Sequence, residues 1–141
     1  MRIKESEAGI QKTILQWGAL QEGIQMFRMN VVGVPLPDGG FRPSPNRGVA
    51  DIFVQLMVYG IPVGLWLEVK SSRGKMSKAQ KVFSEKVGLY YVVRSIEDAS
   101  ASIYFARKFV CEKINLWRNQ DDEEDRDIEW GDKPIIDDEE Y

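Results

Sequence analysis

The spacing of apolar and polar residues predicts seven secondary-structure elements in the order α-β-β-β-α-β-α. Apolar residues three or four positions apart indicate helices, whereas short alternating or continuous apolar runs indicate strands. The predicted helices cover residues 6–21, 77–87 and 95–117, and the predicted strands cover residues 26–32, 50–59, 63–70 and 90–93. This order places a small mixed sheet between helices, which is an α/β fold.

Serine residues mark the predicted starts of the three helices. Ser6, Ser77 and Ser95 can each cap the first turn, and Asp98 follows Ser95 at capping-box spacing. The buried helix faces are expected to contain Ile10, Ile14, Trp17, Val82, Phe83, Val87, Ile103, Ala106, Val110, Ile114 and Trp117. Between the first two strands, residues 33–48 are rich in glycine and proline, and the four prolines are expected to prevent regular structure there.

The strands at residues 50–59 and 63–70 are joined by a short turn around residues 60–62, which predicts an antiparallel hairpin. The first residues of one strand then lie opposite the last residues of its partner, so Asp51 and Glu68 are expected to be neighbours. Lys70 follows Glu68 by two positions and therefore lies on the same face of the strand. The hairpin predicts two carboxylates and one ammonium group at one edge of the sheet.

This arrangement suits a divalent metal ion and phosphoryl chemistry. Two adjacent carboxylates repel each other unless a proton or a cation lies between them. Carboxylate oxygens, together with a backbone carbonyl such as that of Val69, suit Mg²⁺ or Mn²⁺. A metal-activated water is a nucleophile, and the Lys70 ammonium can steady the attacking hydroxide or the phosphoryl charge.

Composition excludes several other chemistries. The 141 residues include no histidine, which excludes Ser-His-Asp and Cys-His catalysis and His-ligated zinc sites. The single cysteine, Cys111, is expected to be a buried small hydrophobic residue in a reducing compartment. Glu5 and Glu7 stand where a signal peptide would be apolar, and the longest uncharged run, residues 52–67, is too short to span a membrane. A cytoplasmic location is therefore expected.

The formal net charge of −3 averages two unlike parts of the chain. Residues 1–120 carry a net charge of +7, whereas residues 121–141 carry −10. We therefore predict a basic domain over residues 1–120 and an acidic C-terminal tail over residues 121–141. The basic surplus suits contact with a polyanion, and Arg73, Lys75 and Lys78 flank the predicted site and are candidates for gripping DNA phosphates. A solvated basic surface is the other interpretation.

The acidic tail admits two interpretations. Blocks of like charge are usually disordered and solubilising, yet this tail also contains five large apolar residues, namely Ile128, Trp130, Ile135, Ile136 and Tyr141. One hypothesis is that the tail folds back and competes with nucleic acid for the basic surface. Deleting residues 121–141 would then raise DNA affinity at low salt, and an unchanged affinity would contradict it.

Four short motifs occur in a fixed order over residues 5–98. They are Glu7-x-x-Ile10-Gln11 in the first helix, Gly48-Val49-Ala50-Asp51 at a strand start, Glu68-Val69-Lys70 at a strand end, and Gly74 with Gln80 at the next helix. The ordered set resembles the VRR-NUC (virus-type replication-repair nuclease) domain of the PD-(D/E)xK nuclease superfamily, in the form found alone in phage proteins. Ala50 departs from the family's Gly-x-Pro-Asp pattern, although the aspartate is retained.

The resemblance implies a restriction-endonuclease-like α-β-β-β-α-β core. It also implies that Glu7, Asp51 and Glu68 bind the metal, that Lys70 is the catalytic lysine, and that Gln80 positions water or phosphate. The family likeness further suggests a magnesium-dependent, structure-selective DNA endonuclease of DNA repair. Such an enzyme would cut branched DNA, such as four-way (Holliday) junctions, as a homodimer in the host cytoplasm.

Each of these roles has a structural alternative. Glu7 can simply complement the helix dipole. Asp51 and Glu68 can be strand-terminating surface residues with Lys70 as an ion-pair partner. Gln80 stands three residues after Ser77, which is capping-box spacing. At the level of the whole protein, the alternatives are a non-catalytic DNA-binding protein that retains the nuclease fold and an interaction module whose acidic tail binds basic proteins.

Overall fold

A computed structural model describes residues 6–29, 33–44 and 47–124. The helices are α1 (Glu7–Gly18), α2 (Lys78–Lys86) and α3 (Ile96–Glu124). The strands are β1 (Ile24–Arg28), β2 (Val34–Pro35), β3 (Phe41–Arg42), β4 (Ile52–Val58), β5 (Ile61–Val69) and β6 (Tyr90–Val93). All seven predicted elements are present, and β2 and β3 form an additional small ribbon.

The four longer strands form one mixed sheet in the order β1-β4-β5-β6. Strand β4 is antiparallel to both β1 and β5, while β6 is parallel to β5. A parallel neighbour requires a crossover connection, and α2 lies in the connection between β5 and β6. The predicted mixed sheet flanked by helices is therefore confirmed.

The hydrophobic core lies on one face of this sheet. Every second residue of β4 is buried, as expected for a strand with one face against helices. Helices α1 and α3 contact the strands on this side and contact each other. The largest fully buried side chains are Ile14, Ile52, Val54, Leu56, Leu65, Leu67, Val69 and Val93, with Glu68 the one charged residue among them.

Several predicted boundaries shift by a few residues. Helix α1 ends at Gly18 instead of Gln21, because the chain turns where Gly18 lies directly against the side chain of Met26. Strand β1 runs from Ile24 to Arg28 instead of 26–32, and residues 30–32 lie outside the described part of the chain. The tight turn of the hairpin lies at Tyr59 and Gly60, both with positive φ, which is the backbone of a two-residue hairpin turn.

Three predictions of burial are wrong in part. No residue of α2 is fully buried, and Val82 is 41% exposed because only one side of this short helix approaches the sheet. Trp117 is 67% exposed, since α3 continues past the part of the helix that covers the core. Cys111 is partly buried rather than fully buried.

The glycine- and proline-rich segment contains regular structure, contrary to the expectation. Val34 pairs with Arg42 and Pro35 with Phe41 in an antiparallel ribbon. Leu36 N–H donates to the Gly40 carbonyl across the turn, at 2.8 Å. In a two-stranded ribbon Pro35 needs no N–H for a further strand, so a proline is tolerated there.

Residues 121–124 of the acidic tail continue α3, and residues 125–141 lie outside the described part of the chain. Across the described ranges, none of the helices combines the length and the apolar content that a membrane span requires.

Candidate active site

Asp51 and Glu68 lie opposite each other where β4 begins and β5 ends. The next residue pair in the antiparallel register is Ile52 with Leu67, so Asp51 and Glu68 continue the same register. Asp51 Oδ2 accepts a hydrogen bond from Val69 N–H at 2.8 Å, which joins the two strand ends. The predicted proximity of the two carboxylates is confirmed.

Glu68 is the most buried charged side chain of this site, with 1% of its surface exposed. Its Oε1 lies 2.7 Å from Lys70 Nζ, and the side-chain amide of Gln80 donates to the same oxygen. The Tyr90 hydroxyl donates a long hydrogen bond, 3.4 Å, to Oε2. Glu68 and Lys70 therefore share one face of β5, as their spacing predicted, and form a buried ion pair there.

Gln80 caps α2, as its spacing from Ser77 predicted, and its role in positioning water or phosphate stays a prediction. Its Oε1 accepts from Ser77 N–H at 2.7 Å, and Ser77 Oγ accepts from Gln80 N–H, which completes the capping box of α2. Its amide nitrogen donates to Glu68. One side chain thus starts the helix and ties it to the buried carboxylate.

Glu7 lies in the first turn of α1, and its carboxylate accepts a hydrogen bond from the backbone of the loop after β5. Its Oε1 accepts from Ser71 N–H at 3.0 Å. A Cβ placed on Gly74 would lie 2.7 Å from this oxygen and 3.2 Å from Lys70 Cδ, which shows how closely the loop after β5 packs around Glu7. The negative charge of Glu7 also contributes to raising the pKa of Asp51.

The sequence analysis assigned no role to two residues that contact the site, Arg94 and Gln11. The Arg94 guanidinium donates to the carbonyls of Ser71 and Gly74, the latter at 3.0 Å, and so fixes the loop that Glu7 contacts. Gln11 is largely buried, and its amide donates to the Asp51 carbonyl at 3.3 Å. Gln11 was visible as part of a motif, whereas no local pattern distinguishes Arg94 from other surface arginines.

Burial raises the pKa of both carboxylates. Desolvation is the largest cause for Asp51 and for Glu68, and the charge of Asp51 raises the pKa of Glu68 further. The hydrogen bond from Val69 N–H lowers the pKa of Asp51, and Lys70 lowers the pKa of Glu68. Both effects are smaller than the desolvation, so both pKa values stay raised. The folded protein therefore holds two carboxylates in a place that favours either a proton or a nearby cation.

Asp51→Asn is expected to raise the melting temperature in EDTA at neutral pH by a few degrees. A carboxyl group whose pKa is raised by folding contributes stability below its unfolded-state pKa and loses it as the pH rises through the folded-state pKa. Asparagine keeps an oxygen acceptor for Val69 N–H and carries no charge. Thermal denaturation should show a larger gain at pH 8 than at pH 5.

The matched control for this substitution is Asp38→Asn. Asp38 is exposed and also accepts a backbone hydrogen bond, from Gly40 N–H at 2.9 Å. It should leave the melting temperature nearly unchanged, because surface substitutions usually have small effects on stability. If Asp51→Asn raises the melting temperature equally at pH 5 and pH 8, the charge of Asp51 does not destabilise the folded protein and the prediction is wrong.

The candidate phosphate-binding residues surround the site on exposed positions. Arg73 and Lys75 flank Gly74 in the loop that Arg94 fixes, and Lys78 begins α2. Lys78 also lines a groove beside α2 whose other charged members are Arg47 and Lys86. All three predicted cations are therefore exposed to solvent and available to a ligand.

Within residues 6–29, 33–44 and 47–124, no three acidic, cysteine or histidine side chains converge into a ready metal-binding cluster. Asp51 and Glu68 form a pair, and the Glu7 carboxylate is engaged by the Ser71 backbone. The roles of Glu7, Asp51, Glu68 and the Val69 carbonyl as metal ligands stay predictions.

Comparison with known proteins gives no match: no protein-family model, no curated protein and no solved structure is significantly similar to this chain. The resemblance to the VRR-NUC domain therefore rests on the residue pattern alone.

Proposed function

We propose that this protein is a metal-dependent DNA endonuclease that hydrolyses phosphodiester bonds at the site formed by Asp51, Glu68 and Lys70. One observation carries the proposal: the partly buried Asp51 and the fully buried Glu68 lie opposite each other at the ends of β4 and β5, and the buried Lys70 contacts Glu68. The raised pKa values of both carboxylates support the proposal, because perturbed pKa values cluster at functional sites.

The residues fit Mg²⁺ or Mn²⁺ in part. Mg²⁺ is commonly held by one or two carboxylates and keeps several waters, so a third protein carboxylate is not required. Asp51 and Glu68, with the Val69 carbonyl, would hold the ion. When bound, such an ion polarises the phosphate and makes a water molecule more acidic.

The chain's own residues then have distinct tasks in the hydrolysis. A water molecule releases one proton to the solvent as its oxygen attacks phosphorus, one P–O ester bond breaks, and the leaving oxygen takes up a proton from the solvent. Lys70 supplies a fixed positive charge next to the developing phosphoryl charge. Gln80 keeps the Glu68 carboxylate in position, and Arg94 keeps the loop with Arg73 and Lys75 in place.

The finer proposals follow the family likeness. The sheet order, with an antiparallel hairpin followed by a parallel strand, supports a restriction-endonuclease-like core. We propose branched DNA such as four-way junctions as the substrate, a homodimer as the active form and the host cytoplasm as its location. A two-fold symmetric dimer would present two sites to a two-fold symmetric junction.

The closed Glu68–Lys70 ion pair favours one alternative, a non-catalytic DNA-binding protein. A fully paired glutamate can be structural, and the cations beside α2 suffice to bind DNA. The two candidate functions differ in metal-dependent turnover.

The test is incubation with labelled four-way junction, flap, duplex and single-stranded DNA in Mg²⁺, Mn²⁺ or EDTA. We expect cleavage in either metal, none in EDTA, and none by Asp51→Asn protein purified in the same way. Cutting retained by Asp51→Asn would indicate a contaminating nuclease or a different site. DNA binding without cutting of any substrate would instead support the non-catalytic alternative.

A further inference from the structure

A row of aromatic side chains crosses the sheet next to the carboxylate pair. Phe27 pairs with Phe53, Phe53 with Trp66, and Trp66 with Tyr90, so the four residues form one cross-strand row over all four strands. The ring centroids of Phe27 and Phe53 are 6.3 Å apart, and those of Phe53 and Trp66 are 4.9 Å apart. Phe83 of α2 packs edge-on against Trp66 at 5.1 Å.

This aromatic row is on the same face of the sheet as the candidate active site. Asp51 precedes Phe53 by two residues, and Glu68 follows Trp66 by two residues. Two residues along a strand span about 6.6 Å, so the carboxylate pair is the neighbouring row on that face. The hydrophobic core, with α1 and α3, lies on the opposite face.

The aromatic row is accessible at one end and bordered by cations at the other. Phe27 is 46% exposed although it lies in a strand. Phe83 lines the groove beside α2 together with Arg47, Lys78 and Lys86. Phe27 is the exposed ring of the row, while Phe53, Trp66 and Tyr90 are partly buried and the basic groove lies at their end. Proteins bind single-stranded nucleic acid by stacking bases on aromatic rings and by placing cations along the phosphate backbone.

We propose that the aromatic row stacks the bases of an unpaired DNA strand, so that the substrate carries a single-stranded segment beside the bond that is cut. This inference rests on the proposed function and narrows its substrate class to branched DNA with an unpaired strand, such as a flap, in place of a fully paired four-way junction. The three cations of the α2 groove oppose docking of a second copy on this face, since a symmetric contact brings like charges together, whereas they attract a phosphate backbone.

The experiment measures equilibrium binding in EDTA, where no cleavage occurs, using fluorescein-labelled oligo(dT) and a duplex of equal length. Phe27→Leu is expected to weaken oligo(dT) binding about 10-fold and duplex binding less than 2-fold. The matched control is Phe109→Leu, at a 49% exposed phenylalanine of α3, the helix that covers the opposite face of the sheet, and it should change neither affinity. Melting temperatures verify that both variants are folded.

Trp66 provides a second readout within the row. Oligo(dT) should quench the tryptophan fluorescence of the wild-type protein more than that of Trp66→Phe. Unchanged oligo(dT) affinity in folded Phe27→Leu protein, or equal quenching of the two proteins, would overturn the inference. Light scattering measures the molecular mass of the wild-type and Phe27→Leu proteins. A lower mass of the variant with unchanged oligo(dT) affinity would also overturn the inference, because a second copy of the chain would then cover the row.

The outcomes separate this inference from the proposed function. If the protein cuts DNA in metal but Phe27→Leu binds oligo(dT) as tightly as the wild type, the nuclease proposal is retained and base stacking is rejected. Phe27-dependent binding of oligo(dT) without cleavage of any DNA would retain stacking and reject the nuclease.

Discussion

Lys70→Met is expected to slow DNA cleavage about 100- to 1,000-fold at saturating Mg²⁺, which is the usual cost of removing one fixed charge-stabilising group from an active site. Methionine preserves most of the length and packing of the lysine side chain but leaves the buried Glu68 carboxylate without its ion-pair partner. We therefore expect a lower melting temperature as well, and the cleavage rate is compared per folded molecule. The Lys70 ammonium also lowers the pKa of Glu68 through a hydrogen bond and its charge. Without it the pKa of Glu68 rises further, and the residual activity should increase towards higher pH.

Single-turnover cleavage with enzyme in excess measures this effect, because it reports the chemical step without product release. Lys75→Met is the matched control, since Lys75 is an exposed cation of the neighbouring loop and is expected to change DNA affinity by only a few fold. Equal losses in the two variants would show that Lys70 acts through general electrostatic attraction. Full activity in Lys70→Met would remove this residue from the mechanism.

The centre of the candidate site was predictable because it is local in sequence. A tight turn fixes the register of a hairpin, and the register alone brings Asp51 to Glu68. The alternation of a strand places Lys70 on the same face as Glu68. Neither inference requires knowledge of how the helices pack.

The periphery of the site depends on contacts that span the chain, and periodicity did not predict these contacts, although the family likeness had assigned Glu7 to the site. Glu7 meets Ser71 across 64 residues, and Arg94 reaches back over 20 residues to Gly74. Periodicity fixes only which face of an element is apolar, not where the element lies. The same limit explains Trp117, whose helical spacing predicted burial although α3 continues past the core at that point.

The capping residues were predictable from the sequence because their hydrogen bonds join residues only three positions apart. Ser6 accepts from Gly9 N–H at 3.1 Å and Ser95 accepts from Asp98 N–H at 3.1 Å, as their spacing predicts. The capping box of α2 shows the limit of this reasoning. Its spacing predicts the bond to Ser77, but the second bond of Gln80, to Glu68, depends on how α2 lies against the sheet.

Gly48→Ala is expected to reduce the free energy of unfolding by about 3 kcal/mol, from backbone strain and a steric clash together. Gly48 has φ +85°, which disfavours any residue with a Cβ, and that Cβ would meet the backbone of Ala79 in α2. Ala79 immediately precedes Gln80, so relieving the clash displaces the helix start that holds Glu68. Cleavage should therefore fall together with stability.

Gly60→Ala separates the two causes of this loss. Gly60 has nearly the same φ, +78°, but nothing lies within 4 Å of the position that its Cβ would take. It should cost about 1 kcal/mol from strain alone and leave the cleavage rate per folded molecule unchanged. Urea unfolding of both variants gives the difference. If Gly48→Ala costs no more than Gly60→Ala, α2 tolerates the displacement, and the close approach of Gly48 to Ala79 does not position Gln80.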